Sequence, residues 1–105
     1  MAYSTPSCRS LIVTAVLSCC MLGACAGAPV QEMSNARQAI RAAYDAGAER
    51  VAPAQLTQAR AFMQQAEMNL QSRAYRDARR NAIAARGKAV EALEVIQTAA
   101  RPDPD

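Results

Sequence analysis

The strongest constraint on the fold is a row of mostly small residues that recurs at alternating steps of three and four between positions 75 and 99. The row consists of Tyr75, Ala78, Ala82, Ala85, Ala89, Ala92, Ile96 and Ala99. This 3.5-residue repeat predicts one long helix whose alanine face packs against other helices. Alanine lets helix axes approach closely, near or below the low end of the usual spacing of about 8–10 Å, but buries little area per contact. We expect Ile83, Val90 and Leu93 to broaden this buried face.

Two shorter helices are predicted ahead of this one. The first starts near Glu32, and Gly47 is placed to end it before a turn at residues 48–50. Its apolar face contains Met33, Ala36, Ile40, Ala43 and Tyr44. Pro53 opens the second helix, because proline is tolerated in the first helical turn. Its apolar face contains Leu56, Ala59, Phe62, Met63, Ala66 and Leu70.

These patterns predict an all-α fold, either a three-helix unit or a repeat-like helical hairpin, over residues 32–100, with a solvated tail at 101–105. We expect Tyr44, Tyr75, Met33 and Met63 to lie in the core. Because so small and alanine-rich a core should be only marginally stable, self-association is a hypothesis at this point.

Composition bears on chemistry more than on shape. The chain contains no histidine and no tryptophan. Without histidine it lacks the commonest general base and metal ligand. No spacing brings two carboxylates together on an apolar face, so the acidic residues are interpreted as solvated charges. The sequence therefore predicts no catalytic residue, no metal site and no cofactor.

The first 24 residues predict a lipoprotein signal peptide. Arg9 precedes twelve uncharged residues at positions 11–22, too few to span a bilayer but typical of a signal core. Leu22, Gly23 and Ala24 then precede Cys25, which resembles the bacterial lipobox. The resemblance implies a diacylglyceryl thioether on Cys25, cleavage before it by signal peptidase II, and an acyl chain such as palmitate on the new amino group. Two or three acyl chains anchor a protein durably, whereas one does not.

The other three cysteines lie within the predicted leader, which argues against disulfides and zinc sites. Residues 25–31 would be the lipidated cysteine and a short tether. Ala26, rather than aspartate, follows Cys25, and by resemblance to the sorting rule of enteric-type bacteria this implies the outer membrane, facing the periplasm. Plain secretion and an inner-membrane protein with an uncleaved signal anchor are the alternatives.

The sequence contains a distinctive order of features, namely residues 47–50, then Ala52-Pro53 and the alanines that follow. This order resembles the alanine-rich helical family known as domain of unknown function 4398, over about residues 32–97. The resemblance implies a small envelope lipoprotein of Gram-negative bacteria and, as a partner, an OmpA-like peptidoglycan-binding protein. Such sequences often have an aromatic residue where Val51 stands and Gly-Asp where this chain has Arg73-Ala74. Without that glycine, fusion of the second and third helices remains an alternative.

A basic segment follows position 72. Arg73, Arg76 and Arg80 are spaced to share one helical face, where they could bind lipopolysaccharide, lipid phosphates or peptidoglycan carboxylates. The alternative is a solvated face partly neutralised by an Arg73–Asp77 pair. Nucleic acid is not expected as a partner, because no aromatic residues alternate with these arginines to stack bases.

The sequence thus predicts an outer-membrane lipoprotein with a non-catalytic helical domain that contacts or scaffolds envelope proteins. Direct binding of an anionic envelope polymer through the arginines is the second hypothesis.

Overall fold

The computed structural model describes residues 27–103 and contains four helices there. They are α1 (Val30–Asp45), α2 (Ala48–Val51), α3 (Pro53–Gln71) and α4 (Tyr75–Ala100). The all-α prediction is confirmed. The predicted signal peptide 1–24, its Leu22, Gly23 and Ala24, the lipidated Cys25, and residues 104–105 of the tail lie outside the described residues.

The long helix α4 holds the domain together. It packs along both α1 and α3, whereas α1 and α3 contact each other over a shorter stretch. One buried cluster joins the end of α1 to the start of α3 and the later half of α4. A second cluster joins the start of α1 to the later half of α3 and the earlier half of α4. The three long helices therefore run up, down and up.

The predicted alanine row forms the centre of this packing. Ala78, Ala82, Ala85, Ala89 and Ala92 are all fully buried. The buried residues of α1 and α3 likewise fall on their predicted faces, and Met33 and Met63 are buried as expected. Tyr75 is half-buried, and Ala99 is exposed where α4 extends past its neighbours.

Three apolar residues expected in the core are substantially exposed. Ile83 is 57% exposed, Tyr44 48% and Val90 40%. The predictions for them were wrong because α1 and α3 are the two long helices that pack on α4, and the alanine row already fills both contacts. Ile83 and Val90 lie beside the alanine row, Val90 at the edge where α4 meets α1. Tyr44 lies at the edge of α1 that faces Arg60 of α3.

The first connection differs in detail from the expected turn. α1 begins at Val30, earlier than the expected start near Glu32, because the Pro29 carbonyl already accepts a helical bond from the Met33 N–H at 3.0 Å. Residues 48–51 form the one-turn helix α2 in place of a simple turn. Gly47 has a φ of 96° and ends α1, as predicted. Its left-handed backbone is a conformation that glycine adopts without strain.

The second connection separates α3 from α4, so the fused-helix alternative is wrong. Arg73 adopts a left-handed backbone with φ 61°, at a position where the family resemblance implied glycine. The Arg73 N–H donates to the Leu70 carbonyl at 3.1 Å, and the Ala74 N–H donates to the Asn69 carbonyl at 2.8 Å. These two bonds form the Schellman arrangement that ends many helices. The turn thus forms without its glycine, at the cost of backbone strain.

Replacing Arg73→Gly is therefore expected to stabilise the domain by about 0.5–1 kcal/mol, because relief of the left-handed strain outweighs the added freedom of the unfolded chain. Urea denaturation followed by circular dichroism measures the change. Arg76→Gly is the matched control, and we expect it to lose about 1 kcal/mol, because glycine is unfavourable inside a helix. A destabilised Arg73→Gly variant would contradict the strain argument.

Candidate interaction surfaces

The arginines singled out in the sequence do not share one face. Arg73 lies in the turn before α4, so the prediction that it aligns with Arg76 and Arg80 was wrong. Arg76 and Arg80 are both exposed on α4, one turn apart. Asp77 forms its ion pair with Arg80, at 3.9 Å, and the described residues show no pair with Arg73. Of the three arginines of the expected patch, Arg76 and Arg80 therefore lie in α4 and Arg73 does not.

A third arginine of the basic segment joins two helices. The Arg79 Nε donates to Glu32 Oε1 at 3.0 Å, and both side chains are about two-thirds buried. The sequence interpretation treated Glu32 as a solvated charge, because no pattern within one helix shows a contact made across 47 positions. This pair fixes the start of α1 against α4.

Arg76 and Arg80 continue into an exposed apolar strip. Steps of three and four along α4 lead from them to Ile83, Gly87 and Val90, and all five residues are exposed. We call this set the outer stripe. A Cβ placed on Gly87 would meet nothing within 4 Å, so the domain itself does not require glycine there. The outer stripe thus combines two cations with two branched apolar side chains around a bare backbone position.

A second surface lies between α1 and α3, which contact each other over a short stretch. It is a groove with a volume of about 410 Å³. From α1 it is lined by Arg37, Ile40, Arg41 and Tyr44. From α3 it is lined by Arg60, Met63, Gln64 and Glu67. Both sets follow the same helical spacing, so one stripe of each helix forms each wall. We call this the α1–α3 groove.

Each end of the α1–α3 groove is bridged. At one end Arg37 Nη2 lies 3.7 Å from Glu67 Oε1. At the other end the guanidinium carbon of Arg60 lies 5.4 Å from the centre of the Tyr44 ring, a cation–π distance. The antiparallel course of the two helices produces this register. Between the bridges lie Arg41, the partly buried Ile40 and the buried Met63.

Sequence reasoning missed this surface. It gave Arg37, Arg41 and Arg60 no role. The available signal was a second stripe at steps of three and four on each helix. Such a stripe also describes an ordinary solvated face, and only the pairing of α1 with α3 distinguishes the two interpretations.

Within residues 27–103 no cluster of three or more histidine, cysteine, aspartate or glutamate side chains is suited to hold a metal ion, and no polar or charged side chain is fully buried. None of the described helices combines the length and hydrophobicity needed to cross a bilayer.

A family model described as a domain of unknown function, DUF4398, matches residues 31–101. The searches of curated proteins and of solved structures find no match to this chain.

Proposed function

Since the chain belongs to the DUF4398 family of domains of unknown function, we propose that it is a lipoprotein held in the outer membrane by Cys25. The helical domain faces the periplasm and contacts envelope proteins without catalysing a reaction. The lipobox-like residues 22–25 support the anchor. Four residues lie between Cys25 and Val30, where α1 starts, so a span of five residue steps can hold the domain within about 18 Å of its lipid.

The observation that carries the interaction role is the outer stripe of α4. Ile83 and Val90 expose branched apolar side chains two turns apart, and the bare Gly87 between them allows a neighbouring backbone to approach. Exposed apolar strips rimmed by polar groups are typical of contact sites. The cations Arg76 and Arg80 at one end favour a partner with an apolar centre and an acidic flank. An OmpA-like envelope protein is one candidate, and a second copy of this chain is another.

The anchor is tested by Cys25→Ala in the full-length chain expressed in a Gram-negative host. We expect the variant, or the unchanged protein treated with a signal peptidase II inhibitor, to accumulate as a precursor that keeps residues 1–24. Cys20→Ala is the matched control, because it removes a thiol from the leader but leaves the lipobox-like residues intact. Intact-mass measurement that finds a free thiol at Cys25, or the leader still attached to the unchanged protein, would refute the lipoprotein.

The contact surface is tested by photo-crosslinking with benzoylphenylalanine in place of Gly87, and with the same residue in place of the exposed Met68 on α3 as the control. We expect adducts from position 87 and their loss when Ile83 and Val90 are both changed to aspartate. Val51→Asp, an equally polar change at an exposed site on α2, should leave them intact. Equal adducts from both positions would contradict a specific surface, and an adduct of twice the mass would identify a second copy as the partner.

A second candidate function is direct binding of an anionic envelope polymer, peptidoglycan or lipopolysaccharide. It is favoured by the exposure of Arg76 and Arg80 one turn apart. Replacing both with glutamate should abolish co-sedimentation with peptidoglycan sacculi or lipopolysaccharide aggregates, whereas Arg86→Glu on another side of α4 should not. Unchanged co-sedimentation of the double variant would reject this function.

A further inference from the structure

We propose that the α1–α3 groove is a binding site for a small organic anion, a carboxylate or phosphate carried on an apolar stem. This inference is independent of the lipid anchor and of the outer stripe. It depends on three properties of the groove, namely its charge, its apolar floor and its closed ends.

The charge of the groove favours an anion. Three arginines and one glutamate line it. Glu67 pairs with Arg37 at 3.7 Å, and within the described part of the chain neither Arg41 nor Arg60 has a carboxylate at ion-pair distance. The guanidinium of Arg60 lies over the Tyr44 ring, which orients it. Planar guanidinium groups bind carboxylate and phosphate oxygens through paired hydrogen bonds, so Arg41 and Arg60 are the expected contacts for the charged group.

The floor favours an apolar stem beside that charge. Met63 and the partly buried Ile40 lie between the two bridges, and the half-exposed Tyr44 ring forms part of one wall. A ligand that carried charge alone would leave the exposed parts of Ile40 and Tyr44 in water. An apolar stem would cover them, and burial of apolar area is the main favourable term in most such contacts.

The closed ends favour a small molecule over a partner helix. Arg37 and Tyr44 are seven residues apart, so the bridges are separated by about 10 Å along α1. A helix is itself about 10–12 Å across and would continue past both ends, which requires both bridges to break. A molecule that fits between the bridges keeps them. The volume of about 410 Å³ lies within the range of small-molecule sites.

The test uses the protein as it is purified from its host, incorporated with nanodiscs of zwitterionic lipid, with the methionine methyl groups labelled with carbon-13. The probe is phenyl phosphate, titrated to about 10 mM, a concentration at which weak binding with a dissociation constant of about 1 mM is detectable. We expect a saturable shift of the Met63 methyl signal, while the signals of Met33 and Met68, outside the groove, stay in place. A missing or non-saturating Met63 shift, or an equal shift at Met68, overturns the proposal.

Three comparisons sharpen the result. Arg41→Gln should raise the dissociation constant by about tenfold, because a hydrogen-bonded charge pair is lost, and Arg50→Gln on α2 should leave it unchanged. Inorganic phosphate should bind more weakly than phenyl phosphate, and equal binding would refute the apolar stem.

A Met63 shift caused by phosphatidylglycerol in the nanodisc, without added probe, would support the site and identify a lipid headgroup as the source of the anion. A shift caused only by phenyl phosphate supports a free small anion.

Discussion

Replacing Ala85→Leu is expected to destabilise the domain by about 1–3 kcal/mol. Ala85 is fully buried on the face of α4 that packs against the neighbouring helices, in the same cluster as Met33 and Ala36 of α1 and Met63 of α3. The added carbon atoms of leucine do not fit, because α4 lies close to its neighbouring helices at Ala85. They would push one helix away and weaken the neighbouring alanine contacts as well. The free energy of unfolding of a native protein is commonly about 5–15 kcal/mol, so this loss is a substantial part of it.

Urea denaturation followed by circular dichroism measures this loss as a difference in the free energy of unfolding. Ala99→Leu is the matched control, because it makes the same change in the same alanine row where α4 has passed its neighbours and the side chain is exposed. We expect the control to stay within about 0.5 kcal/mol of the unchanged protein. Equal free energies of unfolding for the two variants would contradict the close packing described above.

Replacing Leu56→Ala is expected to cost about 2–5 kcal/mol. Leu56 is 2% exposed, and every other fully buried residue of its cluster is an alanine. Its side chain therefore fills the space where α1, α3 and the later half of α4 meet. Truncation leaves a cavity that the surrounding alanines cannot close, because they have no atoms beyond Cβ with which to relax.

The same denaturation experiment measures this effect. Met68→Ala on α3 is the control, since Met68 is 54% exposed and its removal opens no cavity. We expect the control to change the free energy of unfolding by about 0.5 kcal/mol or less. A Leu56→Ala variant that loses no more than the control would show that this cluster does not hold the helices together.

The sequence predicted the helices and their buried faces because the spacing of small residues is a property of each helix alone. Five alanines of α4 and four apolar residues of α3 are buried where their periodicity placed them. The exposure of Ile83 was not predictable in this way. Whether an apolar residue beside such a row is buried depends on how many helices pack around it, and the two long neighbours of α4, with the short α2, leave Ile83 exposed.

The backbone conformation of Arg73 and the groove were beyond sequence reasoning for a different reason. Arginine itself gives no local signal for the left-handed backbone found at Arg73. The α1–α3 groove exists only because antiparallel packing brings Arg37 to Glu67 and Tyr44 to Arg60. Neither pair is close in sequence, so the spacing within each helix contains no information about which residues meet.

The choice of alanine for the buried face of α4 has a consequence for the entropy of folding. A buried leucine or methionine gives up rotamer freedom worth about 0.5–2 kcal/mol, whereas alanine has none to give up. The weak hydrophobic gain of each alanine contact is thus matched by an unusually small loss of side-chain disorder. Most of the conformational entropy that is lost at this interface is therefore backbone entropy, and helix formation itself already restricts the backbone.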